Sequence, residues 1–143
     1  AKTKLNNNIL TWLIITFYIV NKMTFQVKSI RAFIGAKNYN ESRQFYLDFG
    51  FEEIKTSPKM SYFKLGAFGF YLQDAYVKDW VDNSMLFLEV DNLQQHLDEI
   101  TSLQLDKKYK NVRITNISYN DWGNEFFMYD PSGVLWHIGE FKK

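Results

Sequence analysis

The sequence predicts an α+β fold built from two tandem β-α-β-β-β modules. Three observations predict it. The order strand, helix, three strands occurs twice, with a period of roughly 55–60 residues, too long for a solenoid repeat. Each copy opens its helix on an Asn or Asp ahead of an apolar stripe at helical spacing. Each copy closes on similar local sequence: Gly69-Phe70-Tyr71-Leu72-Gln73 parallels Gly133-Val134-Leu135-Trp136-His137. That alignment makes Gln73 and His137 equivalent.

In chain order, Phe25 to Ile34 is rich in branched and aromatic residues and reads as a strand. Asn38 starts a helix, with Glu41 at the capping-box position. Ser42, Phe45, Tyr46 and Phe49 fall on its buried stripe, and Gly50 ends it. Strands follow at Phe51–Thr56, Met60–Leu65 and Phe70–Gln73, completing a first module of about residues 24–74. Asp74 to Asp82 is a connector. The second module, about residues 83–141, opens with the strand Met85–Val90. Asp91 caps its helix with Gln94 at the box position; Leu93, Leu97 and Ile100 mark the buried face, and His96 sits near its edge. Asp106–Lys110 is a charged loop, read as solvated or as an anion-binding lysine cluster. The last strands are Val112–Ser118, Asn124–Tyr129 and Val134–Glu140.

The closing hairpin turns at Asp130-Pro131-Ser132-Gly133, where proline presets φ and Asp and Gly suit the turn ends. Its second strand alternates. Val134, Trp136 and Ile138 face one way, Leu135 and His137 the other.

The 143 residues suffice for one domain with a substantial core. The chain is 46% hydrophobic and 18% aromatic, and it holds no cysteine. Disulfides, thiolate metal sites and cysteine nucleophiles are therefore excluded. The formal charge is +1; setting aside Lys2, Lys4 and Lys22 leaves 14 basic residues against 16 acidic. No basic patch marks a nucleic-acid partner. Residues 1–22 stand apart, and residues 23–143 form the domain. Ile9–Val20 is an apolar run of 12 residues, about 18 Å as a helix and short of a bilayer core. It reads as a leader or upstream sequence. The alternatives are a signal or anchor, which would make the protein exported or anchored rather than cytoplasmic, and an extra element packed on the domain.

Four passages carry a family resemblance. They are Arg31–Ile34 through Asn38–Tyr46 with its Ser-x-x-Phe-Tyr ending, then Phe49-Gly50-Phe51, then Phe87–Leu93, then Trp122-Gly123 to Gly133. In this order they resemble the vicinal oxygen chelate superfamily, the group of glyoxalase I, bleomycin resistance protein and extradiol dioxygenase. The resemblance implies two modules whose curved mixed sheet surrounds a cleft, most like the metal-free bleomycin-resistance type. Metalloenzymes of the group place His, Gln or Glu at one inward position on the first and last strand of each module. Carried over, those positions are Arg31, Gln73 (with Tyr71 as the alternative), Met85 and His137. A guanidinium is no ligand, and a thioether suits the group's metals poorly. The expectation is no family metal and no other cofactor.

The same inward parity collects Phe33, Tyr71, Phe87 and Leu135, with Tyr119 and Trp122 on the loop at the mouth. Arg31 needs an anionic partner, either Glu89 or Glu140 within the chain or a ligand. His137 is a general base or a hydrogen-bonded wall residue; no catalytic residue is assigned beyond it. The resemblance implies a homodimeric small-molecule-binding protein that sequesters a flat, anionic or polar ligand through Arg31, Phe33, Tyr71, Gln73, Met85, Phe87, Trp122 and His137. The alternative is a glyoxalase-like lyase or isomerase with a variant site. A third reading has the cleft filled by the protein's own side chains.

Overall fold

The structure, a computed structural model, describes residues 11–12 and 26–143. The chain divides into Ala1–Ile30 and Arg31–Lys143. In the first unit, Thr11 and Trp12 are helical and residues 26–30 have no regular structure. The other readings of residues 1–22 lie outside the described residues. Among those described, no helix is long and apolar enough to cross a membrane.

The second unit begins with a strand shorter than its composition suggests. β1 is Phe33–Gly35. Of the predicted Phe25–Ile34 strand, residues 26–32 are not in strand and Phe25 is outside the described residues. Branched residues favour extended backbone, but a strand exists only where a partner meets it. β4 meets β1 in parallel register only from Phe33↔Tyr71 to Gly35↔Gln73.

Helix α1, Tyr39–Asp48, starts as expected: Asn38 accepts from the Glu41 amide. Gly50, at φ 105°, takes the left-handed turn that follows it. β2 (Glu52–Ser57), β3 (Met60–Leu65) and β4 (Phe68–Gln73) form an antiparallel meander, and the sheet order is β1-β4-β3-β2. The connector contains a five-residue helix, α2 (Lys78–Asp82), that buries Val81.

The second module repeats the plan. β5 (Met85–Glu89) leads to α3 (Leu93–Ser102), whose cap is Asn92 and not Asp91. Asn92 accepts from the Gln95 amide at 3.0 Å, while Glu140 Oε2 accepts from the Leu93 amide at 3.0 Å. These two acceptors fix the start one residue later than predicted. The charged loop is largely a short helix, α4 (Leu105–Lys108), anchored by buried Leu105. Its lysines are paired, Lys108 with Asp48 and Lys107 with Asp106. The single strand expected at Val112–Ser118 is two short pairings, β6 (Arg113–Ile114) and β7 (Ser118–Tyr119), both on β8 (Gly123–Tyr129). β9 (Leu135–Phe141) lies between β5 and β8, parallel to the first and antiparallel to the second.

Both modules bury one sheet face in a common core. Tyr46 on α1 is fully buried and packs on Phe63 and Phe70 of the first sheet and Trp136 of the second. Polar groups inside are paired. Tyr46 donates to Asp130 Oδ2 at 2.8 Å, Trp136 Nε1 donates to the Tyr46 hydroxyl, and Asp130 Oδ1 accepts from the Ser132 and Val134 amides. Neither module could cover these groups alone.

Candidate functional site: two open sheet faces

Strand alternation puts half of each sheet's residues in the core and half on the opposite face. On β9, Trp136 and Ile138 are buried while Leu135 and His137 are half-buried, as the sequence implies. The faces turned away from the core carry every sequence-predicted strand site residue. They do so as two separate rows, one per sheet. Among the described residues no hydrogen bond, ion pair or ring contact joins the rows.

The first row crosses β1, β4, β3 and β2 as Phe33, Tyr71, Tyr62 and Ile54, each in register with the next. Phe33 stacks on Tyr71 with centroids 4.9 Å apart, and Tyr71 packs on Tyr62 at 5.3 Å. The Arg31 guanidinium lies 4.0 Å over the Tyr62 ring and donates from Nη1 to the Tyr71 hydroxyl at 3.1 Å. Among the described residues no carboxylate pairs with Arg31. Glu140, one of its expected partners, caps α3 and bonds Asn124, and these bonds hold its carboxyl below the usual range. The other, Glu89, is exposed at the end of β5. Gln73 is half-buried at the end of the sheet, its amide 3.9 Å from Met60 Sδ.

The second row crosses β5, β9 and β8 as Phe87, His137 and Phe127. His137 Nδ1 lies 2.8 Å from Glu125 Oε2. Glu125 thus gives His137 an orienting carboxylate that the sequence reading does not name. Glu125 was missed, although a signal existed. The hairpin pairs Phe127 with His137, so Glu125, two residues before Phe127, is a diagonal neighbour on the same face. Phe87 stacks near-parallel on His137 (6.3 Å) and on Phe141 (5.6 Å), bridging Gly139. A Cβ at Gly139 would stand 2.8 Å from Phe87 Cζ. Trp122 packs on Phe87 and Phe141. Met85 is 64% exposed and Tyr119 78% exposed.

The pairings revise one equivalence. Phe33 precedes the cap Asn38 by the same interval that separates Phe87 from Asn92, and these two strands meet Tyr71 and His137 respectively. Tyr71, not Gln73, is thus the counterpart of His137. Aligning on the glycines misleads because Gly69 lies inside β4, whereas Gly133 lies in the turn before β9.

The four family positions therefore hold Arg31, Tyr71, Met85 and His137. Their donors are a guanidinium already spent on two tyrosines, a phenol, an exposed thioether and one imidazole, which do not fit a divalent cation. Among the described residues no three His, Asp or Glu side chains converge.

No family model matches the chain, and no curated protein sequence matches it. Solved structures do. The bleomycin-binding protein of Streptomyces verticillus, complexed with copper(II)-bleomycin, is 19% identical with a TM-score of 0.66, covering 82% of this chain and all of that one. A glyoxalase/bleomycin resistance protein from Catenulispora acidiphila is 14% identical at TM-score 0.64, over 81% of this chain and all of that one. A lactoylglutathione lyase from Agrobacterium tumefaciens is 17% identical at TM-score 0.59, over 81% and 96%. At these identities the likeness speaks for the fold: the chain folds as the glyoxalase and bleomycin-resistance proteins of the vicinal oxygen chelate group do.

Proposed function

We propose that the protein binds a small, flat, partly aromatic molecule on its open sheet faces, without a family metal and as a homodimer. One observation carries the reading. Phe33, Met85 and Phe87 are 49%, 64% and 45% exposed, beside a guanidinium that no carboxylate among the described residues pairs with and an imidazole with its own carboxylate. Apolar rings around a few oriented polar groups are the make-up of a ligand site. Exposed rings in such rows are costly unless something covers them. Arg31 meets an anionic or accepting group, the aromatic rows stack on the ligand, and a second copy covers the open faces. The likeness to bleomycin-binding proteins supports small-molecule binding.

Calorimetric titration with bleomycin and with 2-naphthoate tests this. Saturable binding of either is expected, weakened about tenfold by Arg31→Met, a loss of about 1.4 kcal/mol. Failure of both ligands to bind overturns the reading. A stoichiometric metal in the purified protein, lost with His137→Ala, overturns its metal-free part. Light scattering that shows a monomer removes the dimer.

The Glu125–His137 contact favours a second reading, a glyoxalase-like lyase or isomerase with His137 as base. Consumption of lactoylglutathione by the purified protein, abolished in His137→Ala, would establish it.

A further inference from the structure

We propose that His137 and Glu125 form a proton-accepting subsite for weakly acidic planar ligands, phenols and enols, and hold them as anions. The inference rests on the open sheet faces being a ligand-binding surface. It starts from what each group can donate. Glu125 Oε2 stands 2.8 Å from His137 Nδ1, with side chains 13% and 26% exposed. An ionised carboxylate offers only lone pairs, so the proton of this hydrogen bond sits on Nδ1 whether the imidazole is neutral or charged. In the neutral imidazole the lone pair that can accept a hydrogen bond is then on Nε2. Among the described residues Nε2 has no hydrogen-bond partner.

The ring cannot easily turn away. Phe87 lies near-parallel to it, and Phe127 meets it edge-on at 4.9 Å. Phe87, Trp122 and Phe141 pack on one another as a half-exposed aromatic surface beside it. A planar ring stacked on that surface can present its O–H in the plane of the imidazole. The ligand O–H bond breaks, the Nε2–H bond forms, and the ligand anion stays beside an imidazolium whose charge Glu125 offsets. No oxidant or second reactant is needed. Among the described strand residues the other ionisable side chains on this face are Glu89 at the end of β5, Tyr129, and Arg113, which lies 4.4 Å over the Tyr129 ring. Arg113 is engaged on β6 at the sheet's far edge, and His137 is the imidazole base among the described residues of this face.

The test uses 4-nitrophenol and its methyl ether, 4-nitroanisole, with the full chain. Tryptophan quenching reports binding, and the visible phenolate band reports ionisation. Bound 4-nitrophenol is expected to ionise more readily than free, its acid constant raised about tenfold. The ether, with no proton to give, binds about tenfold more weakly. Glu125→Gln loses the gain in ionisation while still binding the ether; His137→Gln loses both the gain and the preference over the ether. His96→Gln behaves as wild type. If His137→Gln does not fold, Glu125→Gln decides. Binding with unshifted ionisation, or a shift that survives Glu125→Gln, overturns the subsite and leaves the broader binding reading standing. So does failure of 4-nitrophenol to bind a protein that binds bleomycin or 2-naphthoate. A shift seen in a protein that binds neither of those supports the subsite and removes bleomycin-like and carboxylate ligands from the broader reading.

Discussion

The Tyr46 hydroxyl donates to Asp130 Oδ2 across 84 residues of sequence, tying the first module's helix to the second module's closing turn. The same oxygen accepts from Trp136 Nε1 at 3.2 Å. Burial pushes the phenol's ionisation well above its ordinary value, and the neighbouring Asp130 charge pushes the same way. Tyr46→Phe would strip two buried groups of a partner while keeping the ring. The expected cost is about 2–3 kcal/mol, read as a lower urea midpoint at unchanged slope.

Asp130 gives stability an unusual pH dependence. Burial pushes its carboxyl up to about 6, against the hydrogen bonds from Tyr46 and the turn amides, which favour the charged form. The unfolded value is about 3.9, so the folded state holds the proton more tightly. The stabilisation from that proton is complete below the unfolded value and is lost as pH rises through about 6. A difference of about two units corresponds to about 3 kcal/mol. Unfolding free energy should therefore fall between about pH 4 and about pH 6, and Asp130→Asn should flatten that slope.

Glu53 works in the opposite sense. The bidentate bond from Arg43, at 2.6 and 2.8 Å, holds its carboxyl below the usual range. Its contribution is present above the unfolded value and lost as pH falls through the lowered one. Arg43→Met leaves a mostly buried carboxylate without its cation, at an expected cost of about 2–3 kcal/mol near neutral pH. Thermal melts in acid should show the wild type and the variant converging.

Gly139 lets Phe87 lie between His137 and Phe141. A methyl there meets the end of a half-exposed ring at 2.8 Å, and the Asn124 carbonyl oxygen at 3.2 Å. Gly139→Ala should cost about 1–2 kcal/mol and alter the emission of Trp122 as Phe87 moves. In a Phe87→Ala background most of that cost should vanish. At Gly123 the obstacle is the Glu140 backbone oxygen, which cannot swing aside as a side chain does, so Gly123→Ala should be far worse in either background.

Local chemistry made the repeated units legible. The Asp130–Gly133 turn, the alternation on β9 and the Asn38 cap follow from rules that act within a few residues. The extent of β1 and the splitting of Val112–Ser118 depend on where a distant strand stops pairing, which local composition does not encode. Adjacent Asp91 and Asn92 are both good caps by residue type. The choice falls to Asn92, with the Leu93 amide bonded to Glu140 from the far end of the chain. Parity puts Phe33, Tyr71, Phe87 and His137 on the open faces, but it does not single out Tyr62, Ile54 or Phe127, which complete the rows. That they form two rows rather than one cluster depends on how the modules pack through Tyr46, and no periodicity reveals that. Glu125 was within reach of hairpin counting, whereas the stacking of Arg31 on Tyr62 was not.

The equivalence of Tyr71 and His137 gives the repeat a division of labour. Two copies of one backbone plan hold the same row position, each beside a phenylalanine. One copy settled on a phenol under a charge that never changes. The other settled on a ring whose charge changes with a single proton. A molecule resting on both copies would meet a permanent pole and a conditional one, so its acidity, more than its shape, would decide how firmly it is kept.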